Sequence, residues 1–404
     1  MNKVAGDSIL NTWGEEPYPT YERLRSQGKV KWDSRLKAWV AVDYEALRQV
    51  YRTDKKVFRK FAERVADADW YRISGDRDVM FLRGEDHTRF HRYWLTFFSP
   101  QAVDAWRDTK IRPIIDRAVQ SFSSRGRAEL FSQLAEQVSF RTMMSVCGLD
   151  WQSHDLYERC KTAIDDRTAW TEVRQQAPDP AVAETAARSI ESLKEVLRPI
   201  IQQRKAAPTG EDLISRIWRD GVRMFSDWDE DDTFYAVVFM LFAGSANTAL
   251  TMSSALYVLA THPLLAERLR QQGADSVERF TEEALRLYGS SQFVARLANQ
   301  DTVLGEASVR KDEGVFCINA AGNRDPQRWP HPEEVDLENA SRDHLAFSLG
   351  PHTCAGAALA RAEIQMVVGS IVAEFPRLRL DPEAEPPRFT GKAIRGYRPL
   401  NVSF

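Results

Sequence analysis

The sequence predicts a mainly α-helical fold with a small β region, and three observations lead to this prediction. Apolar residues recur at helical spacing along most of the 404 residues. The segment from Thr233 to Ala266 contains no Asp, Glu, Lys or Arg, which suits one long buried helix. Short strand-like runs are grouped between residues 293 and 318 and recur near the C-terminus.

In chain order, the first half of the sequence is predicted to be almost entirely helical. The run Ala38-Trp39-Val40-Ala41-Val42 is the exception, because it is apolar, partly β-branched and short, as a strand is. The spacing of apolar residues predicts helices at 17–27, 44–51, 86–98, 111–123, 128–147, 151–164, 181–204 and 210–219.

The long uncharged segment is predicted to be a central helix. Asp227, Asp229 and Glu230 place acids in its first turn, and Pro263 is expected to end it. It is long enough to cross a bilayer. Its middle, however, carries hydroxyl and amide side chains, which are costly at bilayer depth, and the chain has no second such segment. We therefore predict a helix buried in a soluble domain and no membrane partner.

The last third of the chain is predicted to mix helices with the small β region. Helices are expected at 264–272, 275–287 and 354–375, and strands at 293–297, 302–304, 307–309, 314–318 and 399–403.

Composition and charge narrow the class of protein. The net charge is −3 and acidic and basic residues are interspersed, so no basic arm suggests a nucleic-acid partner. None of the four cysteines forms a CxxC pair, which argues against a zinc site or a disulfide framework and favours a reducing, cytoplasmic location. The segment Met1–Glu16 has no signal-peptide pattern. No linker divides the sequence, so we expect a single domain over residues 1–404.

The most informative run extends from Phe347 to Arg361 and reads FSLGPHTCAGAALAR. It places the thiol of Cys354 in a turn between glycines, just before a predicted helix. Unpaired backbone N–H groups at a helix start favour a thiolate, and a thiolate is a strong donor to a haem iron. A buried structural cysteine is the alternative interpretation of such a position.

This run resembles the haem-binding loop of the cytochrome P450 family, in which Phe, Gly, His, Cys, Gly and Leu-Ala-Arg have the same spacing. One position departs, because the family usually has Gly where this chain has Ser348. The resemblance implies the P450 fold, a triangular α-rich prism with a long central helix over haem b. It also implies that Cys354 is the axial thiolate of the iron and that Phe347 and Gly356 contact the haem.

A second resemblance is the pair Glu283 and Arg286, three residues apart on one helix face. Taken alone, this is the pattern of an ordinary surface ion pair. In the family the pair is structural and fixes the segment that carries the cysteine loop. A third basic residue usually joins it; this chain has Asn339 there, with Arg342 nearby.

Four residues resemble the family's partners of the haem propionates. Arg296 is expected to reach one propionate from a strand through two parallel hydrogen bonds. His352 and His87 match two further positions. The usual Arg four residues after His87 is replaced by His91, which we expect to take its role. A solvated surface histidine is the alternative interpretation of each.

The central helix departs from the family at its oxygen-binding motif. Ala243 and Gly244 are expected to make room for dioxygen, but the usual acid and alcohol are replaced by Ala246 and Asn247. Three alternatives stay open. Asn247 orders waters that relay protons, with Thr248 or Ser245 assisting; the substrate supplies a hydroxyl or acid group; or the chemistry avoids standard oxygen scission.

The resemblance implies a haem-thiolate monooxygenase that inserts one atom of O2 into a mid-sized hydrophobic molecule. Electrons would come from NAD(P)H through a reductase and a ferredoxin or flavodoxin, with the arginines at 83, 89, 92 and 361 as a dock for an acidic carrier. The alternatives are an atypical P450 oxidation, such as oxidative coupling, desaturation or peroxide-driven chemistry, and a non-catalytic haem protein. The pocket is expected to be lined by Trp70, Tyr71, Met80, Met240, Phe242, Phe293, Val294 and Ile394.

Overall fold

The computed structural model describes residues 8–12, 16–61, 67–174 and 179–404, so the expectation for Met1–Glu16 lies mostly outside the described residues. Helices dominate. They are α1 (Tyr18–Ser26), α2 (Tyr44–Arg52), α3 (Ala68–Ser74), α4 (Gly84–Phe97), α5 (Pro100–Trp106), α6 (Arg112–Gln120), α7 (Glu136–Cys147), α8 (His154–Arg174), α9 (Pro180–Ala206), α10 (Leu213–Met224), α11 (Glu230–Thr261), α12 (Pro263–Gln272), α13 (Ala274–Tyr288), α14 (Asn319–Gly322) and α15 (Ala357–Glu374).

The strands are short and form small sheets. They are β1 (Val30–Asp33), β2 (Ala38–Ala41), β3 (Phe58–Lys60), β4 (Arg127–Glu129), β5 (Val294–Ala298), β6 (Thr302–Leu304), β7 (Ala307–Val309), β8 (Gly314–Cys317), β9 (Arg379–Leu380), β10 (Arg388–Gly391), β11 (Arg395–Arg398) and β12 (Asn401–Ser403).

The largest sheet has five strands in the order β1-β2-β8-β5-β3. Only the pairing of β2 with β8 is parallel; the others are antiparallel. The register places Lys60 of β3 opposite Arg296 of β5. This pairing brings two cationic side chains from distant parts of the sequence together at the β3 edge of the sheet.

Helix α11 runs through the centre of the helical region and packs against α7, α8, α9, α13 and α15. A capping box starts it, in which the Asp229 carboxylate accepts from the Asp232 backbone N–H and the Asp232 carboxylate accepts from that of Asp229. It is the one described helix long and apolar enough to cross a membrane, and 61% of its most apolar window is buried inside the protein. A core helix passes the same test of length and composition.

The mainly α prediction with a small β region is confirmed, and the differences have local causes. Helix α11 stops at Thr261, just before Pro263, as expected. Pro263 also begins α12, because proline is well accommodated in the first turn of a helix. Residues 127–129 form β4, where a helix was expected. Five further strands were not predicted, namely β1, β3, β9, β10 and β11, because each is so short that no alternating pattern of apolar residues marks it.

Candidate functional site: a cysteine loop facing the central helix

One face of α11 borders interior space. Most residues in the middle of this helix are buried, yet a set of partly exposed ones recurs at steps of three or four positions. Residues so spaced share one helix face. The set consists of Tyr235, Phe239, Phe242, Ala243, Ala246 and Asn247. Because this helix packs against other helices along its length, we infer that the partly exposed face borders an interior cleft.

The cysteine loop lies between α13 and the start of α15. The backbone N–H of Cys354 donates to the Phe347 carbonyl at 2.9 Å and closes the loop. Burial raises the pKa of the Cys354 thiol, while a hydrogen bond from the Gly356 backbone and the charge of Arg361 lower it. The residue is nevertheless solvent-accessible. A thiol that is enclosed by protein and still accessible borders the same kind of interior space.

A buried network of charged side chains from α13 and α15 holds this loop in place. Glu282 of α13 accepts two hydrogen bonds from Arg361 of α15, at 2.7 and 2.9 Å, and contacts His344 Nε2 at 3.1 Å. The Arg361 guanidinium also lies 4.7 Å from the Phe347 ring centre. Although burial alone would raise it, the pKa of Glu282 falls to about 2 because of these two partners. The sequence analysis did not identify Glu282.

The Glu283–Arg286 pair is buried and bidentate, with contacts of 2.8 and 2.6 Å. Glu283 also accepts from the backbone N–H of Asp336, and Arg286 donates to several backbone carbonyls of the segment 323–334. The pair therefore fixes the chain that leads into the cysteine loop. Arg342 does not join it; this guanidinium contacts Glu278 on the surface. Asn339 instead donates to Asp336.

The four residues expected near the propionates meet at one edge of the loop. His87 Nε2 and His352 Nδ1 are 2.9 Å apart, and His91 Nε2 is 2.9 Å from the Thr353 carbonyl. Arg296 donates to Asp54 at 2.8 Å. Asp54 Oδ2 also lies 3.8 Å from His352 Nε2. Asp54 is another residue that the sequence analysis missed.

The donors in this cluster fit a group that carries carboxylates. Burial and the charge of Lys60 lower the pKa of His87 to about 3 and that of His352 to about 2. The buried Nδ1 of His87 has no hydrogen-bond partner within residues 8–12, 16–61, 67–174 and 179–404. Among the described residues, Asp54 is the carboxylate paired with this cluster. A haem propionate beside the cluster would accept the unused N–H groups and balance the positive charge.

The amide of Asn247 is held in a fixed orientation. Its Oδ1 accepts from the Ser290 hydroxyl at 3.0 Å, and the Ser290 N–H donates to Thr251 Oγ1 at 3.0 Å. Since Asn247 is partly exposed on the cleft face, we infer that its Nδ2 group is available there as a donor. Ser290 follows Gly289, where a Cβ atom would lie 3.1 Å from that of Ala346 in the cysteine loop. Asn247 is thus linked through two residues to the loop that carries Cys354.

The other residues of the motif occupy different faces of α11. Ala243 is on the cleft face, but a Cβ at Gly244 would lie 2.5 Å from Met143 Sδ, so Gly244 allows α7 to pack closely. Ser245 is buried and donates to the Leu241 carbonyl, and Thr248 is also buried. Asn247 is therefore the polar side chain of this motif that faces the cleft.

The residues expected to line the pocket occupy several environments. Trp70 is buried, with its ring centre 4.2 Å from that of Phe81 and 5.1 Å from that of Trp170. Met240 is buried beside the cleft face, whereas Tyr71 and Met80 are 49% and 45% exposed. The remaining ones are partly exposed, namely Phe242, Phe293, Val294 and Ile394.

Comparisons with known proteins identify the family. The model of the family "Cytochrome P450" matches residues 31–402. The chain is 29% identical over 348 residues to cytochrome P450-SOY of Streptomyces griseus, covering 85% of this chain and 79% of that protein. It is 26% identical over 402 residues to the cytochrome P450 monooxygenase PikC of Streptomyces venezuelae, covering 96% and 91%. Pulcherriminic acid synthase of Bacillus subtilis is 25% identical, with 99% and 97% coverage.

Solved structures show the same fold. P450BioI in complex with an acyl carrier protein superposes with a TM-score of 0.85, at 21% identity and with 96% and 98% coverage. Epothilone B-bound cytochrome P450epoK gives 0.82, at 22% identity and with 96% coverage of both chains. The chain belongs to the cytochrome P450 family. It is a haem-dependent monooxygenase of small molecules, with electrons supplied from NAD(P)H through partner proteins.

Proposed function

We propose that Cys354 is the axial thiolate of the haem iron and that the enzyme inserts one atom of O2 into a mid-sized hydrophobic molecule. The observation that carries this proposal is the position of the enclosed, accessible thiol in a loop connected through Gly289 and Ser290 to the cleft face of α11. Bound haem supplies the activation of dioxygen with electrons delivered from outside. The protein's own residues hold the haem, exclude water and position the substrate.

The roles of the cluster residues follow from their donors. Arg296, His87, His91 and His352 converge where carboxylates would satisfy them, so they are proposed to hold the two propionates. Phe347 and Gly356 border the sulfur, and a Cβ at Gly356 would lie 3.9 Å from Cys354 Sγ. A larger side chain at that position would crowd the iron-binding face of the sulfur.

Asn247 is proposed to take the place of the usual alcohol. Its Nδ2 group donates a hydrogen bond to water or dioxygen in the cleft, but an amide is a poor proton relay. Ala246 beside it holds no proton. The protons therefore travel through ordered water or come from the substrate. This departure favours an atypical oxidation, such as coupling or desaturation, as the second candidate.

Electrons are proposed to come from a ferredoxin or flavodoxin with its reductase, in the cytoplasm. Arg83, Arg89 and Arg92 of the α4 region are exposed and lie near His87 and His91 in sequence. Arg361 is engaged by Glu282 and is removed from this docking set. An acidic carrier would be attracted to the exposed arginines, and raised ionic strength should slow reduction.

The proposal is tested with purified holoenzyme, a ferredoxin, a ferredoxin reductase and NAD(P)H. Compounds are first screened for loss of the water ligand of the iron, seen as a Soret shift. Those that bind are then turned over under isotope-labelled dioxygen. We expect one labelled oxygen atom per product molecule. A product without labelled oxygen would contradict oxygen insertion and support coupling or desaturation.

A further inference from the structure

A second buried cation lies on the other side of the cleft face of α11. Arg167 of α8 is 1% exposed, and its guanidinium carbon is 3.8 Å from the centre of the Phe242 ring. Phe242 belongs to the cleft face and directly precedes Ala243. The guanidinium is therefore separated from the interior cleft by one aromatic ring.

The hydrogen bonds of Arg167 are incomplete. Its Nη2 donates to Ser74 Oγ at 3.1 Å and to Asp78 Oδ2 at 3.3 Å. Its Nε and Nη1 are buried and have no hydrogen-bond partner among the described residues. A buried N–H without an acceptor is destabilising, and a guanidinium cannot escape the problem by losing its proton. The part of the chain that the structure describes offers no acceptor to these two donors.

The residues around Arg167 form an aromatic wall that has Arg167 at one end, while Arg174, which pairs with Asp67, lies over the rings of Trp70 and Trp170. Trp170 lies one helical turn further along the same face of α8 and contacts Trp70, which in turn contacts Phe81. Aromatic rings offer a large apolar contact area. The wall and the cation together suit a molecule with an apolar body and an acceptor oxygen at one end.

The charge balance of the site also allows an anion. Asp78 is the carboxylate next to Arg167, and its Oδ1 already accepts from the Met80 N–H at 2.8 Å. Lys60 donates to the neighbouring Val79 carbonyl and adds positive charge close to Asp78. Burial raises the pKa of Asp78, so this carboxylate can take up a proton as an incoming anion binds. An added carboxylate need not leave the site with excess negative charge.

We propose that Arg167 is a substrate anchor and that the substrate class is an apolar molecule carrying a carboxylate, whose oxygens accept from Nε and Nη1. The proposal rests on the function proposed above and adds to it the substrate class. The Phe242 ring stands between Arg167 and the cleft, so the carboxylate reaches the anchor past the edge of this ring and the apolar body of the substrate stays in the cleft. Anchoring of one end determines which carbon lies nearest the iron.

The test is a set of Soret titrations of the holoenzyme with alkanoates and phenylalkanoates, their methyl esters and the matched primary alcohols. We expect some carboxylates to bind the parent enzyme more tightly than their alcohols. Arg167→Gln should weaken the binding of those carboxylates about 10- to 100-fold and leave the binding of the alcohols nearly unchanged. Arg167→Lys keeps the charge and should lose less. Arg159→Gln, an exposed position on the same helix, is the matched control and should have no effect.

Imidazole, which binds the iron directly, separates the two proposals. A normal imidazole spectrum in Arg167→Gln shows that the haem pocket of the variant is intact. A parent protein that does not bind haem would contradict the proposed function itself. The anchor is overturned if no carboxylate binds more tightly than its alcohol. It is overturned equally if Arg167→Gln weakens imidazole, acids and alcohols alike, which is a purely structural effect. If a methyl ester binds as tightly as its acid, Arg167 binds a neutral carbonyl, and the proposed carboxylate class of substrate is wrong.

Discussion

The two walls of the proposed haem cleft are built differently. The proximal wall, residues 344–361 with Glu282 and Glu283 behind it, is held by buried charges that bind both side chains and backbone carbonyls. The distal wall, residues 235–247 of α11, presents small or apolar side chains and one oriented amide, that of Asn247. Many hydrogen bonds and ion pairs fix the conformation of the proximal wall, whereas only a few polar contacts fix that of the distal wall.

This difference explains where the chain agrees with its family and where it departs. A loop held by many strong contacts tolerates an unfavourable residue such as Ser348, whose φ of 57° and ψ of −171° fall in a region that only glycine adopts readily. A helix face with few polar contacts can exchange an acid and an alcohol for Ala246 and Asn247 without loss of the fold. We therefore propose that the proximal wall governs haem binding and that the distal wall governs the reaction.

The largest effect is expected from breaking the buried pair of the proximal wall. Glu283→Gln leaves Arg286 buried without its counter-ion, which should lower the free energy of unfolding by about 3–5 kcal/mol. Poor haem incorporation should accompany it. The measurement is thermal unfolding together with haem content per chain.

Its matched control is Glu278→Gln, which removes the exposed partner of Arg342. An exposed pair contributes at most about 1 kcal/mol, so this variant should keep its haem and nearly all its stability. If both variants lose the same stability and haem content, burial does not explain the contribution of the Glu283–Arg286 pair.

A smaller loss, with a distinct pH dependence, is expected from Glu282→Gln. The pKa of Glu282 is about 2 in the folded protein against an ordinary value of 4.5. Its stabilising effect is therefore complete above about pH 4.5 and is lost as the pH falls toward 2. At neutral pH the variant should be less stable by about 2–3 kcal/mol.

The check on Glu282 is the difference in unfolding free energy between parent and variant as a function of pH. This difference should be constant at neutral pH and should shrink below about pH 4.5. A difference that stays unchanged down to low pH would mean that the Glu282 carboxylate does not stabilise the fold through its charge.

The distal wall is tested by Asn247→Ala, which removes the amide donor from the cleft. Loss of one hydrogen bond of about 1 kcal/mol should raise peroxide release per product roughly fivefold. Asn247→Thr should retain part of the coupling, because a hydroxyl both donates and relays protons. Product formed per NAD(P)H consumed is the quantity to measure.

Thr248→Val is the control for this prediction, since Thr248 is buried away from the cleft face. If Asn247→Ala couples as well as the parent while Thr248→Val does not, the proton path runs through Thr248 and the assignment of Asn247 is wrong.

The smallest effect is expected at the residue that departs from the family in the cysteine loop. Ser348→Gly should raise the free energy of unfolding by about 1 kcal/mol, because glycine adopts this backbone conformation without strain. Ser348→Ala keeps the strain and should not stabilise. Thermal unfolding of both variants makes the comparison, and a destabilised Ser348→Gly would show that the hydroxyl outweighs the strain.

The sequence predicted those parts of the site that are encoded locally. The cysteine loop, the Glu283–Arg286 pair and the Asn247 departure each occupy a short run with fixed spacing. Asp54 and Arg167 could not be found this way, because their partners lie 242 and 89 residues away and only the fold brings them together. Glu282 had a signal, its place next to Glu283, but spacing alone does not show that Arg361 faces it.

The central claim is that Cys354 binds the haem iron as a thiolate, and the reduced carbonyl complex tests it most directly. We expect the parent enzyme to absorb near the long-wavelength Soret position of its family and Cys354→Ala to lose that band. Cys160→Ala, which alters a buried thiol elsewhere in the fold, should keep it. A Cys354→Ala protein that retains haem and shows the same band as the parent would contradict the account.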